Sequence, residues 1–270
     1  MICFPNAKIN LGLHVVEKRT DGFHNIESLF YPVPFQETLE FLESKTHTGD
    51  LHVSGLVIDG QKERNLVWKA YQYFKSEYGI PPLDIYLDKQ IPMGAGLGGG
   101  SADLGFFTRN LNELFQLGLS VSFLENLVAT WSSDAPFFIQ NKPAVVMGKG
   151  ELVQPVGLDL KGVHLVIVNP GVHVATPKAY GLITPNKRPL DTEVFRLDLP
   201  QWNGRVCNDF EEPVMGHFPE LRTVKKDLQD AGLDFVQMSG SGSSFFGLGK
   251  SEIDLEVLKG KYPHVHQVRL

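Results

Sequence analysis

The chain has 270 residues, 42% of them hydrophobic and 21% charged, a balance that can bury a sizeable core and that excludes disordered, fibrous and collagen-like classes. Its 25 Lys and Arg against 31 Asp and Glu leave a net charge of −6, which argues against a surface that wraps nucleic acid or lies on an anionic membrane. Two cysteines, Cys3 and Cys207, form no CxxC pair, so neither a disulfide framework nor a cysteine zinc site is expected and a reducing cytoplasm fits best.

At this length two packed lobes are favoured over one. The opening MICFPNAKINLGLHVV lacks a basic segment ahead of its apolar residues and is interrupted by Pro5 and Lys8, so it is not read as a signal peptide. No apolar run approaches the roughly 20 residues of a bilayer span.

Residues Ala7 to Val16 alternate with the period of a strand, Ile9, Leu11, Leu13 and Val15 on one face and Lys8, Asn10, Gly12 and His14 on the other. Asp21-Gly22 supplies turn chemistry, and strand-like runs follow at Leu39–Leu42 and Leu51–Val57. Asn65 is placed to cap a helix carrying Leu66, Ala70, Tyr73 and Phe74 that stops at Gly79, ahead of Pro81-Pro82. A strand over Ile85–Ile91 leads into a glycine-dense stretch. From Ser101 a helical pattern carries Leu104, Phe107, Leu111, Leu114 and Phe115 towards Gly118, and a second helix is predicted over Phe123–Trp131. Val145–Val156 and Val163–Val168 read as strands, with the lobe boundary in the Gly- and Pro-containing connection near residues 148–162. Pro219 opens a helix that closes at Gly232. Strands at Phe235–Met238 and Phe245–Leu248 flank a second small-residue loop, and the chain ends in a helix and a strand-like tail. Strands and helices mixed without strict βαβ alternation predict an α+β fold, and no repeat is present.

In PMGAGLGGGSAD, Gly94, Gly96, Gly98, Gly99 and Gly100 are five of seven consecutive residues, and a helix start at Ser101 follows at once. Glycines let backbone N–H groups turn towards one point, and the first N–H groups of a helix are unpaired and carry partial positive charge. Together they make an anion cradle suited to phosphate. A linker or packing turn is the plain alternative, although a linker is more often followed by polar sequence than by an amphipathic helix. The same glycines satisfy GxGxxG, but a dinucleotide site needs a strand ending in an acidic residue about 20 positions on, where two helices are expected instead. Gly249-Lys250-Ser251 fails as the end of a Walker A motif, because Ser244 stands where its first glycine is required. Asp103 is read as favouring its helix N-terminus rather than as a metal ligand. The nine histidines form no HExxH, and His264-x-His266 reads as a surface strand rather than a metal site.

Three segments, PNAKINLGLHVVEKRTDGFH, PMGAGLGGGSAD and MSGSGSSFFG, resemble the three motifs of the GHMP kinase family in order and approximate spacing. The match extends through RNLVWKAY, SSDAPFF, NPGVHVATPKAY and NDFEEPV. The resemblance implies a two-lobed α+β kinase fold. Residues 1–155 would form an ATP-binding lobe of ribosomal-protein-S5-like topology and residues 156–270 an α/β-sandwich lobe, with a substrate cleft between them. It implies ATP as phosphoryl donor with Mg²⁺ as its companion, the protein's own metal ligands being unassigned. More narrowly it implies a substrate carrying a cytidine diphosphate group, 4-diphosphocytidyl-2-C-methyl-D-erythritol, whose 2-hydroxyl is phosphorylated in the non-mevalonate route to isoprenoid precursors.

Carried over residue by residue, the resemblance assigns catalysis to Lys8 and Asp134. A carboxylate in reach can orient or deprotonate an alcohol, and an ammonium offsets charge on the transferred phosphoryl group. Nucleotide binding falls on Asn65, near the adenine, and on Pro92, Gly94, Gly96, Leu97, Gly98, Gly99, Gly100 and Ser101. Substrate binding falls on Asn10, on Phe23 and His24 against the cytosine, on Thr176 and Tyr180 at its other side, and on the late loop Ser239, Gly240, Ser241 and Gly242. Phe23 stands where many relatives have Tyr, Ala102 where a second serine is common, Glu17 where glycine is common, and Ser133 where glycine or alanine is common. The alternatives are another kinase of the family, acting on homoserine, mevalonate or a sugar, and a catalytically silent nucleotide-binding regulator. No nucleic-acid or membrane partner is expected, and both a monomer and a homodimer fit.

Overall fold

The computed structural model describes residues 1–46, 48–57 and 61–270. In chain order the strands are β1 (Ile2–Cys3), β2 (Asn6–Lys18), β3 (His24–Gln36), β4 (Thr38–Glu43), β5 (Asp50–Gly55), β6 (Leu83–Lys89), β7 (Ala144–Gly148), β8 (Leu152–Pro155), β9 (His164–Asn169), β10 (Phe235–Met238), β11 (Phe245–Gly249) and β12 (His264–Arg269). The helices are α1 (Leu66–Tyr78), α2 (Gly99–Leu114), α3 (Val121–Ala129), α4 (Ala135–Gln140), α5 (Thr176–Gly181), α6 (Glu211–His217), α7 (Glu220–Asp230) and α8 (Glu256–Lys261). The α+β class is as the sequence predicts.

The chain divides into two compact units, one of Met1–Ala7, Phe35–Met93 and Gly98–Lys142, the other of Lys8–Pro34, Gly94–Leu97 and Pro143–Leu270. Compactness therefore cuts the chain at points that a linear division at residue 155 does not contain. Most of β2 and the glycine-loop residues 94–97 fall in the second unit.

In the first unit a sheet of order β1-β4-β6-β5 packs with α1 to α4. Helix α1 forms where its signals place it: Asn65 Oδ1 accepts the Val67 N–H at 2.9 Å, and Gly79 ends the helix at φ 63°. Its buried face is Val67, Trp68, Ala70, Tyr71 and Phe74. Phe41 and Phe107 meet edge to face at 5.0 Å, and complete burial of each stabilises the fold by about 2–3 kcal/mol. Helices α2 and α4 approach so closely at Gly105 that a Cβ there would lie 2.7 Å from Phe138 Cβ.

In the second unit lie the sheets β2-β3-β7-β8 and β10-β11-β9-β12. One apolar cluster joins Leu13, Val15, Val166, Val168, Phe210, Val224 and Phe245. Strand β2 keeps the predicted alternation, yet both its faces are buried from Asn6 to Val15, so Lys8, Asn10 and His14 are interior groups.

Four features differ from the sequence reading. Strand β3, 13 residues long, was not expected, because Pro32 and Pro34 interrupt its pattern; its pairing with β7 covers Ile26–Phe30 and stops short of both. The run Val145–Val156 is a hairpin of β7 and β8, turned at Gly148 and Gly150, which have φ 69° and 123°. Helix α2 starts at Gly99 rather than Ser101, capped by Gly98. Helices α4, α5 and α6 have 6, 6 and 7 residues, too few for a 3.6-residue period to show.

Candidate active site

Strand β6 runs into the glycine loop, and α2 begins as the loop ends. The N–H groups of Gly99, Gly100 and Ser101 open the helix without partners four residues back, while Ala102 N donates to Gly98 O at 2.8 Å. Gly100 is exposed and a Cβ there would meet nothing within 4 Å, whereas Gly99 is buried. Ser101 shares a hydrogen bond of 2.7 Å with Ser132 in the SSDAPFF segment. Asp134 is half-buried at the residue before α4, and its side chain does not cap that helix. Asp103 corrects the sequence reading. It is 3% exposed and accepts a hydrogen bond from Lys89 Nζ at 2.7 Å instead of resting at the helix N-terminus for its dipole alone.

Within the second unit, Lys8 and Asn10 share a face of β2. Lys8 Nζ donates to Asn10 Oδ1 at 2.6 Å and stands 4.4 Å from the Phe30 ring centroid. Asn10 Nδ2 donates to Ser28 Oγ at 2.9 Å, and Ser28 Oγ donates to Gly12 O at 2.6 Å. The Lys8 N–H donates to Leu97 O at 2.9 Å, so this strand holds the middle of the glycine loop by its backbone. The late loop holds it as well. Ser239 is buried and its Oγ donates to Gly96 O at 2.9 Å. A Cβ on Gly96 would lie 2.0 Å from Ser239 O, and its φ of +78° is itself unfavourable for a side chain, so only glycine fits.

The late loop has its own supports. Asn208 Nδ2 donates to Met238 O at 2.8 Å and to Gly240 O at 2.9 Å, while its Oδ1 accepts the Phe210 N–H at 2.9 Å. Glu211 Oε2 accepts the Met238 N–H at 2.8 Å, and Asn169 Nδ2 donates to Ser244 Oγ at 3.0 Å. The sequence reading assigns no task to Asn208 and Glu211 of NDFEEPV or to Asn169 of NPGVHVATPKAY. Their amides and carboxylate, with Asn169 directly after the predicted strand Val163–Val168, are the available signal.

Phe23, His24 and Tyr180, the rings expected at the base, all lie in the second unit. His24 opens β3 and stacks on Tyr180 of α5, centroids 4.7 Å apart at 20°. Tyr180 meets Phe210 edge on at 4.8 Å. Phe23 is 54% exposed, with Lys149 Nζ, a group sequence reasoning missed, 4.9 Å from its centroid. Thr176 Oγ1 and Ser241 Oγ lie 3.3 Å apart. Desolvation and then the nearby Lys18 charge push the His24 pKa below its ordinary value, which keeps the ring neutral near pH 7.

Among the described residues no three His, Cys, Asp or Glu side chains gather to hold a metal ion. No helix among them is long and apolar enough to cross a membrane.

Residues 65–149 match the GHMP kinases N terminal domain, and residues 197–264 match the GHMP kinases C terminal domain. The chain belongs to the GHMP kinases. Among its relatives, a 4-diphosphocytidyl-2-C-methyl-D-erythritol kinase of Bacteroides fragilis is 47% identical over 255 residues, 93% of each chain. One from Parabacteroides distasonis is 46% identical, over 92% of this kinase and 91% of its relative. A crystal structure of a 4-(cytidine 5'-diphospho)-2C-methyl-D-erythritol kinase superposes with a TM-score of 0.83 at 31% identity, covering 99% of this kinase and 98% of the other. The mevalonate kinase of Methanococcus jannaschii, at 15% identity and a TM-score of 0.67, shares the fold.

Proposed function

We propose that this kinase transfers the γ-phosphoryl group of ATP to the 2-hydroxyl of 4-diphosphocytidyl-2-C-methyl-D-erythritol, giving the 2-phosphate and ADP, in the cytoplasm. Identity of 47% over 93% of the chain to a protein of that name supports the reaction. The observation that carries the cytidine end is the stack of His24 on Tyr180 at 4.7 Å, with the preceding residue, Phe23, exposed. Flat aromatic faces bind a base, and a neutral imidazole offers one donor and one acceptor to its edge. Mevalonate or homoserine has no base to use such a set.

The nucleotide phosphates are assigned to residues 92–101, where the open position at Gly100 and the N–H groups of Gly99, Gly100 and Ser101 at the helix start suit an anion. Asn65 and the loop residues Pro92, Gly94, Gly96, Leu97 and Gly98 complete that assignment. Lys8 is assigned to offset charge on the transferred group, and Asp134 to orient the acceptor hydroxyl and take its proton. The acceptor hydroxyl is tertiary, so positioning and electrostatics carry the rate more than nucleophile strength. Ser101 Oγ, at the helix start, is a hard side-chain oxygen that fits Mg²⁺ carried on the nucleotide. Bound there, Mg²⁺ would neutralise phosphate charge. Residues 1–155 and 156–270 remain the proposed lobes.

The test is ADP release with Mg²⁺-ATP and the cytidyl acceptor, compared with homoserine, mevalonate and no acceptor. Release with the cytidyl acceptor alone is expected, and release with another acceptor in its place would overturn the substrate. Asp134→Asn should lower turnover by about 10²-fold or more with ATP binding retained, and near-wild-type turnover would remove Asp134 from the mechanism.

A further inference from the structure

The first unit contains a set of buried charges with no part in the chemistry just described. Lys89, the last residue of β6, is 1% exposed, and its Nζ donates to Glu37 Oε2 at 2.5 Å and to Asp103 Oδ2 at 2.7 Å. Glu37, between β3 and β4, is equally buried and uses its other oxygen, Oε1, to accept the Ile91 N–H at 3.0 Å. Its own N–H donates to Pro5 O at 2.8 Å. Asp103 Oδ1, also buried, meets no hydrogen-bond donor among the described residues.

These groups bracket the glycine loop. Ile91 is the residue before Pro92, where the loop begins, and Asp103 lies just past its end, early in α2. Gly99 closes the bracket: a Cβ there would lie 3.1 Å from Ile91 Cβ and 3.4 Å from Glu37 Oε1. The entry and exit of the loop are thus pressed together, with one ammonium tying the strand end to the helix start.

Such a triad is a poor choice for stability alone, because desolvation of buried ions consumes most of their attraction and apolar replacements of equal size are often as stable. Desolvation pushes the Asp103 carboxyl well above its usual range, with Glu37 adding to the rise and Lys89 opposing it. Desolvation also works against the Lys89 ammonium, but Asp103 and Glu37 together hold its pKa above the ordinary value. What the triad supplies is direction. Two carboxylates on one ammonium define where the strand end and the helix start must lie.

We propose that Glu37, Lys89 and Asp103 are positioning residues for nucleotide binding: they set the two ends of the loop so that the N–H groups of Gly99, Gly100 and Ser101 converge on the phosphates. This inference rests on the assignment of residues 92–101 to the ATP phosphates.

The test uses a triple variant, Glu37→Gln, Lys89→Met and Asp103→Asn, which removes every charge of the set and leaves none unpaired, alongside the single variant Asp103→Asn. Melting temperature, equilibrium binding of Mg²⁺-ATP, KM for ATP, KM for the cytidyl acceptor and kcat are measured on each. The triple variant should melt near the wild-type temperature, with KM for ATP raised about fivefold to tenfold and KM for the acceptor within twofold, a split that general loosening of the fold would not produce. A triple variant that melts like the wild type and keeps its KM for ATP within twofold overturns the proposal. If the triple variant does not fold, Asp103→Asn decides, since it retains the Lys89–Glu37 pair: a KM for ATP raised about threefold supports the role and an unchanged one overturns it. Wild-type protein that fails to bind Mg²⁺-ATP overturns the loop assignment itself, and the inference with it. Tight wild-type binding that the variants leave untouched overturns the inference alone.

Discussion

The loop of residues 92–98 is fastened at its ends by charge, through Lys89 between Glu37 and Asp103, whereas the loop of residues 239–243 is fastened mainly by a neutral amide, Asn208, donating to the carbonyls of Met238 and Gly240. The reason lies in what each loop connects. The late loop joins β10 to β11, whose ladder already pairs Met238 with Phe245, so its ends are in register before Asn208 contributes anything. The early loop joins a strand to a helix, and no ladder relates those two elements. Its ends need a connection of their own, and a buried ammonium reaching two carboxylates supplies one, with a penalty for desolvation that a neutral amide avoids.

That contrast can be broken most directly at its charged side. Lys89→Met leaves two buried carboxyl groups without their cation and should destabilise the protein by about 3–5 kcal/mol in urea melts. Asn208→Ala strands two carbonyls and the Phe210 N–H but no charge, and about 1–3 kcal/mol is expected from the same measurement. Equal losses would mean that the two anchors do not differ in kind.

The two cysteines sharpen the contrast, because one lies in each unit. Cys3 is buried, and desolvation pushes its thiol up to about 12, so at pH 8 it should react with a thiol reagent only when the first unit opens. Cys207, half-buried and next to Asn208, should react first in the native protein. In Asn208→Ala the Cys207 rate should rise and the Cys3 rate should hold, while in Lys89→Met the order should reverse. A smaller effect separates support from contact: Gly100→Ala has free space around the new methyl and should change stability by less than about 0.5 kcal/mol, yet weaken ATP binding if phosphate approaches there. The acceptor side has a pH lever. The His24 pKa is depressed, so KM for the cytidyl acceptor should be flat around pH 7–8 and rise only as acidification protonates the ring and removes its acceptor nitrogen; His24→Gln should abolish the rise.

Both loops were legible as loops because glycine and serine at that density have few other uses, and α1 was legible because Asn65 and Gly79 act through immediate neighbours. The shared face of Lys8 and Asn10 followed from a period of two and is realised in their 2.6 Å hydrogen bond. Asp103 was misread for the opposite reason. Nothing near it in the chain reveals that its partner is Lys89, 14 positions back, or that Lys89 also meets Glu37, 52 positions away. Strand β3 was hidden by two prolines, and α4 to α6 by their shortness. The burial of Ser239, read from sequence as a substrate contact, depends on a backbone approach to Gly96 across 143 positions.

The sequence by itself determined the α+β class, the capped helices, the two glycine-bearing loops and the family, since each rests on local chemistry or on the order of motifs along the chain. Only the tertiary structure decided which charges are buried together, which asparagines act as struts, and that each compact unit draws on several separate stretches of the chain. Those outcomes depend on contacts between distant segments, where the cost of burying a charge or an unpaired carbonyl is settled by the partner that folding brings to it.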